Sequence, residues 1–315
     1  ALMLAALEAR RIAPAYLFGG PEGVGRRLAA LRFLEGVLAG PGGSPLLRRR
    51  LAEGNHPDLL WVEPTYLHRG ELVPVSRSQE EGVNRRSPPQ LRLEQIRQVS
   101  RFLARRPLEA PGCVVVLEQA EAMAEAAANA LLKTLEEPGE GLLLLLTAAP
   151  EQLLSTIRSR CQLIPFRRLS PGEVARVLER LPAPAGGEGH RPPDPPDPPE
   201  LLELAAGSPG ALLHHRRQWQ ALPPELTGRL QELPGCGDPL VALALARDLS
   251  EALDGEEQLW LLGWWQLWLW RRQAGPAVLR RLERLRRQLL AYVQPRLAWE
   301  VALLELGTAI GSSRQ

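Results

Sequence analysis

The sequence predicts an α/β fold in which a P-loop-type parallel sheet domain comes first and an all-helical region follows. Three observations predict it. Short apolar runs alternate with helix-period segments up to about residue 166. A glycine-rich turn follows the first of those runs and opens a helix. From Leu201 onward apolar residues recur at helical spacing almost to the end of the chain.

The strands fall at 16–18, 59–62, 114–117, 142–146 and 162–165. Each is a short, nearly continuous apolar run, the pattern of a strand buried on both faces of a parallel sheet. Between them the spacing predicts helices over 27–38, 93–104, 121–135 and 151–159. Ser170 and Pro171 read as N-cap and first-turn proline of a further helix reaching Leu181. The stretch 182–200, PAPAGGEGHRPPDPPDPPE, is too rich in proline and glycine for regular structure and reads as an extended surface insertion. The expected division is 1–167 for the sheet domain, 168–215 for a small helical domain carrying that insertion, and 216–315 for an all-helical domain.

The glycine-rich turn is FGGPEGVGRRLA. Gly20, four residues including Gly23, and Gly25 reproduce the first six positions of the phosphate-binding pattern G-x-x-x-x-G-K-S/T. The last two positions break it, with Arg26 in place of the lysine and Arg27 in place of the hydroxyl that holds magnesium. Arginine supplies 37 of the 38 basic residues, Lys133 being the single lysine, so Arg26 alone is readable as a drifted lysine. Arg27 is not. A second departure lies in VVVLEQAE: Glu118 at the strand exit still carries charge, whereas Gln119, where an acid would polarise water, has no ionisable group. The nucleotide-contact candidates are therefore Gly20, Gly23, Gly25, Arg26, Arg27, Glu118 and Thr147, framing a degenerate loop with weak or absent nucleotide binding. Hydrolysis by this chain is not expected.

Two further signals concern arginines. Arg160, in LLSTIRSRCQLIPF, ends a helix that leads into a strand, from which a guanidinium can reach across an interface. Arg97, Arg101 and Arg105 recur every four residues opposite the apolar stripe Leu93, Ile96, Val99 and Leu103, giving either a solvated face or a set of DNA phosphate contacts. The apolar run 259–270, LWLLGWWQLWLW, is too short for a bilayer span of about 20 residues. Its tryptophans cover nearly every side of a helix, so burial is expected. Charged residues make up 23% and the net charge is +2, which excludes wholesale disorder and gives no overall nucleic-acid signature. Cys113, Cys161 and Cys236 lack metal or disulfide spacing and are expected reduced, with no metal site. The chain opens without a signal-peptide pattern, so a cytoplasmic location is expected.

The stretch 120–141, AEAMAEAAANALLKTLEEPGEG, followed by LLSTIRSRCQLIPF, resembles the AAA+ clamp-loader subunits of bacterial DNA polymerase III, and among them the delta-prime type. PAYLFGGPEGVGR, GNHPDLLWVEP, LEQIR, LAAGSPGALL and VQPRLAWEVALLEL extend the resemblance over nearly the whole chain. It implies an AAA+ domain, a helical lid and a helical collar that joins subunits into a ring segment. It further implies that Arg160, in the S-R-C motif, acts as an arginine finger in the ATP site of an adjacent motor subunit of gamma/tau type. This chain would require no cofactor of its own, ATP and magnesium being bound by partner subunits. The other implied partners are a delta-type subunit, the sliding clamp and primed duplex DNA, as part of a DNA polymerase III holoenzyme. Many such relatives bind zinc through four cysteines after the phosphate loop, yet 28–112 contains no cysteine, and Pro209 and Gly210 stand where active relatives place a lid arginine. Two other readings stay open, an ATP-hydrolysing motor subunit and a passive scaffold.

Overall fold

The computed structural model describes residues 2–40, 42–78, 80–83, 88–181, 197–235, 238–291 and 293–311. The chain divides into two compact units, Ala1–Ser170 and Pro171–Gln315.

The first unit runs α1 (Leu2–Glu8), β1 (Ala15–Gly19), α2 (Arg26–Ala39), α3 (Pro45–Ala52), β2 (Leu59–Val62), β3 (Thr65–His68), β4 (Glu71–Pro74), α4 (Leu93–Leu103), β5 (Val114–Leu117), α5 (Glu125–Glu136), β6 (Leu142–Thr147), α6 (Ser155–Arg158) and β7 (Gln162–Pro165). Five strands form a parallel sheet in the order β2-β5-β6-β1-β7. All five predicted strands are present. The alternation of side chains explains the layers: Ala15 and Leu17 of β1 point into a core shared with α4, α5 and α6, while Tyr16 and Phe18 point into one shared with α2 and α3. Helices thus cover both faces, which is why β5 and β6 are apolar at every position but the closing Thr147.

Two helices are shorter than the spacing predicts. Predicted helix 121–135 becomes a 3₁₀ turn at Ala120–Ala122 and then α5, and 151–159 becomes a 3₁₀ turn at Pro150–Gln152 and then the single turn of α6. The first break lies at Met123 and Ala124, whose extended backbones (ψ 127° and 150°) separate the 3₁₀ turn from α5.

The second unit is helical among its described residues: α7 (Pro171–Arg180), α8 (Pro199–Ala205), α9 (Pro209–Ala221), α10 (Pro224–Glu232), α11 (Pro239–Ala252), α12 (Gly255–Arg271), α13 (Pro276–Leu290) and α14 (Pro295–Gly311). Every one except α12 opens on proline, which has no N–H to leave unsatisfied in the first turn. Side-chain caps add to this at Ser208, Asp238 and Asp254, the last forming a reciprocal capping box with Glu257.

Trp264 and Trp265 are fully buried and Trp268 nearly so, as expected, whereas Trp270 is exposed. The expected boundary at 215/216 falls inside α9. That helix is stitched to α12 by the Trp260 indole N–H donating to His215 Nδ1 (2.9 Å) and by Trp219 packed on Trp264 (centroids 4.9 Å apart). The insertion also ends earlier than expected. Residues 182–196 and Cys236 lie outside the described residues, but Asp197 is ion-paired to Arg216, and Pro199 and Glu200 already belong to α8.

Among the described residues no helix is long and apolar enough to cross a membrane.

Candidate functional site: a loop closed by its own arginine

β1 is buried along its whole length and delivers the glycine-rich turn to the carboxyl edge of the sheet, where ligands of parallel α/β folds bind. The turn is pinned from both sides: Gly20 N–H donates to the Thr147 carbonyl (3.1 Å), and Phe166 N–H donates to the Gly19 carbonyl (2.7 Å). Only glycine fits at position 20, since a Cβ there would lie 2.2 Å from the Phe166 carbonyl oxygen. Gly23 and Gly25 take positive φ (70° and 92°), and Gly25 caps α2 without a side chain in the way. The backbone of the glycine-rich turn is therefore fixed at the mouth of α2.

Its side chains do something else. Arg27 Nη1 donates to both carboxylate oxygens of Glu118, at 2.8 and 2.9 Å, across 91 residues of sequence. The same guanidinium lies over the Trp61 ring, 4.4 Å from its centroid. Magnesium in such a loop needs a hydroxyl oxygen at position 27 and a free carboxylate at the strand exit. Here a cation already holds that carboxylate, so the residues present do not fit the metal. Nor do the described residues contain any other group of three or more His, Cys, Asp or Glu placed to hold one.

Arg26, half-buried, has its pKa held below the ordinary arginine value by burial, against the pull of Glu121, Glu22 and Glu118. Glu121 accepts the Ala148 N–H through Oε1 (3.0 Å), while its buried Oε2 has no hydrogen-bond partner. Three carboxylates thus act on the Arg26 guanidinium, and Glu118 among them is also paired with Arg27. Thr147 does not complete the predicted set. It is fully buried, and its hydroxyl is turned onto the Ala149 N–H (3.1 Å).

Arg160 stands elsewhere, just beyond α6. Ile157 anchors that turn in the core beside Leu131 and Leu135 of α5. The guanidinium donates through Nη1 to the Thr156 carbonyl (3.1 Å) and through Nη2 to Glu136 Oε1 (3.0 Å), remaining about one-third exposed. Burial pushes the neighbouring Cys161 thiol up to about 12, so it stays protonated and unreactive.

The third set is only partly assembled. Arg97 and Arg101 of α4 are exposed along a groove of about 900 Å³ between α4 and α5. Lys133 lines the same groove, where Ser100 and Thr134 share a hydroxyl hydrogen bond of 2.7 Å. Arg105 does not join them. It lies past the end of α4, with its guanidinium on Phe102, the Pro57 carbonyl and buried Asp58. The place of Lys133 in the groove and of Trp61 under Arg27 was not read from the sequence, where Lys133 stood out only as the single lysine.

A parallel sheet in this strand order, carrying a glycine-rich turn at its carboxyl edge and followed by a helical region, is a fold of the AAA+ type. The profile of the family described as "DNA polymerase III, delta subunit" matches residues 2–170, and that of "Cyanobacterial DNA polymerase III delta prime, C-terminal domain" matches 173–306. Among curated relatives, the DNA polymerase III subunit delta′ of Pseudomonas aeruginosa is 36% identical over 194 residues, covering 56% of this chain and 53% of the relative. That of Bacillus subtilis is 31% identical over 186 residues, covering 57% and 50%. The chain spans about half the length of these relatives. A solved DNA polymerase III gamma subunit-related protein from Thermotoga maritima shares the fold, with a TM-score of 0.52 over 98% of this chain and 99% of that one at 15% identity. The chain belongs to the family described as DNA polymerase III, delta subunit, and its curated relatives are delta′ subunits.

Proposed function

We propose that this chain is a clamp-loader subunit that does not hydrolyse ATP and that completes the ATP site of a neighbouring motor subunit with Arg160. The partners in this reading are gamma/tau-type motor and delta-type subunits, the sliding clamp, and primed duplex DNA reached through the assembled complex. ATP and magnesium belong to the partners. The observation that supports the reading is the Arg27–Glu118 pair at 2.8 Å, in which a guanidinium of the chain itself engages the carboxylate a metal would need. Gln119 removes the candidate base beside it. Chemistry is thereby left to a site in which Arg160 stabilises charge developing on a transferred phosphoryl group, a role worth about 10³- to 10⁵-fold at the site served. The groove bearing Arg97, Arg101 and Lys133 suits phosphate contacts that position duplex DNA without reading its sequence.

The test is Arg160→Ala in the reconstituted loader. DNA-stimulated ATPase and clamp loading both fall if the reading holds. Unchanged ATPase with intact assembly would instead leave the chain as a passive scaffold, and turnover of ATP by the isolated chain would make it a motor subunit.

A further inference from the structure

We infer that Glu136 is a positioning residue that pre-organises Arg160 for its task, an inference that rests on Arg160 serving a partner's ATP site. Three features of the local geometry carry it. First, Glu136 is the last residue of α5, the negative end of the helix dipole, where a carboxylate is disfavoured. Lys133, one turn earlier, makes no ion pair with it; the cation that does is Arg160, reached across 24 residues.

Second, the two contacts on Arg160 leave much of its guanidinium free. Nη1 uses one N–H on the Thr156 carbonyl and Nη2 uses one on Glu136. Of the five donors of a guanidinium, three remain, the Nε–H and one on each terminal nitrogen, and the group is about one-third exposed. An arginine gripped in this way presents its remaining donors to an anion without first having to lose side-chain freedom. Third, the base under both residues is rigid. Ile157 of α6 and Leu131 and Leu135 of α5 are buried in one core, so the spacing between the Thr156 carbonyl and Glu136 is fixed by packing.

A carboxylate so close to an incoming phosphate also repels it, so orientation and masking predict opposite signs. Orientation is the effect expected to prevail. The experiment measures kcat and KM for DNA-stimulated ATP hydrolysis in the reconstituted loader with Glu136→Ala, Glu136→Gln and Arg160→Ala, alongside melting of each variant. Glu136→Ala is expected to lower kcat by about two- to fivefold with KM unchanged, the range of an exposed ion pair. Glu136→Gln keeps an oxygen acceptor and recovers most of that loss. A rise in kcat for either variant overturns the inference in favour of masking. Equal losses for Ala and Gln overturn it in favour of a pure charge effect, and no change in either overturns it outright. Should Arg160→Ala leave the rate untouched, it is the role of Arg160 that fails, whatever the Glu136 variants do.

Discussion

Replacing Arg26 with lysine and Arg27 with threonine together puts the site to its hardest trial, because it restores the two side chains of the phosphate-binding pattern without touching the loop backbone. In the present chain the Arg27 guanidinium sits 2.8–2.9 Å from both oxygens of Glu118. A divalent ion placed beside it, at a separation of about 4 Å, is repelled by about 2 kcal/mol at the dielectric of water and about 8 kcal/mol at an effective dielectric near 20. Arg27 is 56% exposed, which favours the lower part of that range, about 2–4 kcal/mol, or about 30- to 1,000-fold in magnesium-dependent affinity. Losing the ion pair and the contact with Trp61 costs the fold about 1–2 kcal/mol, so the double variant remains folded. Calorimetric titration with ATP, once with magnesium and once with a chelator, reads the effect directly. The parent chain should be indifferent to magnesium and the variant should gain affinity only when it is present. Parent chain that already binds ATP tighter by about tenfold or more with magnesium would refute the reasoning.

Two further outcomes follow from other parts of the first unit. In the assembled complex, Arg97→Ala, Arg101→Ala and Lys133→Ala should each reduce the salt dependence of DNA binding by about one unit of slope, whereas Arg105→Ala, whose guanidinium is occupied by Pro57 and Asp58, should lower stability and leave the slope alone. Loss of slope only with Arg105→Ala would exclude the groove. The buried Glu35 carboxylate, held by Arg48 and also bonded by Ser44 and Arg32, has its pKa brought down to about 2. A folded value below the unfolded one means stability that is present above pH 4.5 and lost as pH falls toward 2. With both arginines about half exposed this amounts to about 1–2 kcal/mol, so Glu35→Gln should melt lower at neutral pH and show a flatter acid limb. Identical acid limbs would show that the carboxylate contributes nothing.

The sheet was legible because parallel strands buried on both faces read as uninterrupted apolar runs, and 142–146, five leucines in a row, is the plainest of them. The β3–β4 hairpin was not legible. Its turn uses Arg69 and Gly70, both at positive φ, and Arg-Gly lacks the Asn-Gly or Asp-Gly signature of such turns. At the site, the glycines and the two arginines could be read in place, because a phosphate loop is a local motif. That Arg27 would close on Glu118 could not, since their approach depends on a crossover that brings β5 near the loop following β1. Arg105 shows the opposite failure: four-residue spacing placed it on a helix face, yet α4 had already ended and Asp58, wholly buried, needed a cation. Asp58 itself is governed by burial, which raises its pKa, and by the N–H groups of Glu109, Leu108 and Ala110, which more than reverse that.

The bond from Trp260 to His215 bears on how the molecule can be dissected. A fragment begun or ended at residue 216 would cut through the middle of α9 and strip the indole nitrogen of its acceptor. Glu203 of α8 would likewise be parted from Arg271 at the far end of α12. Scissors belong between Ser170 and Pro171, where the helical half begins with its own proline and keeps all of these partners on one side of the cut.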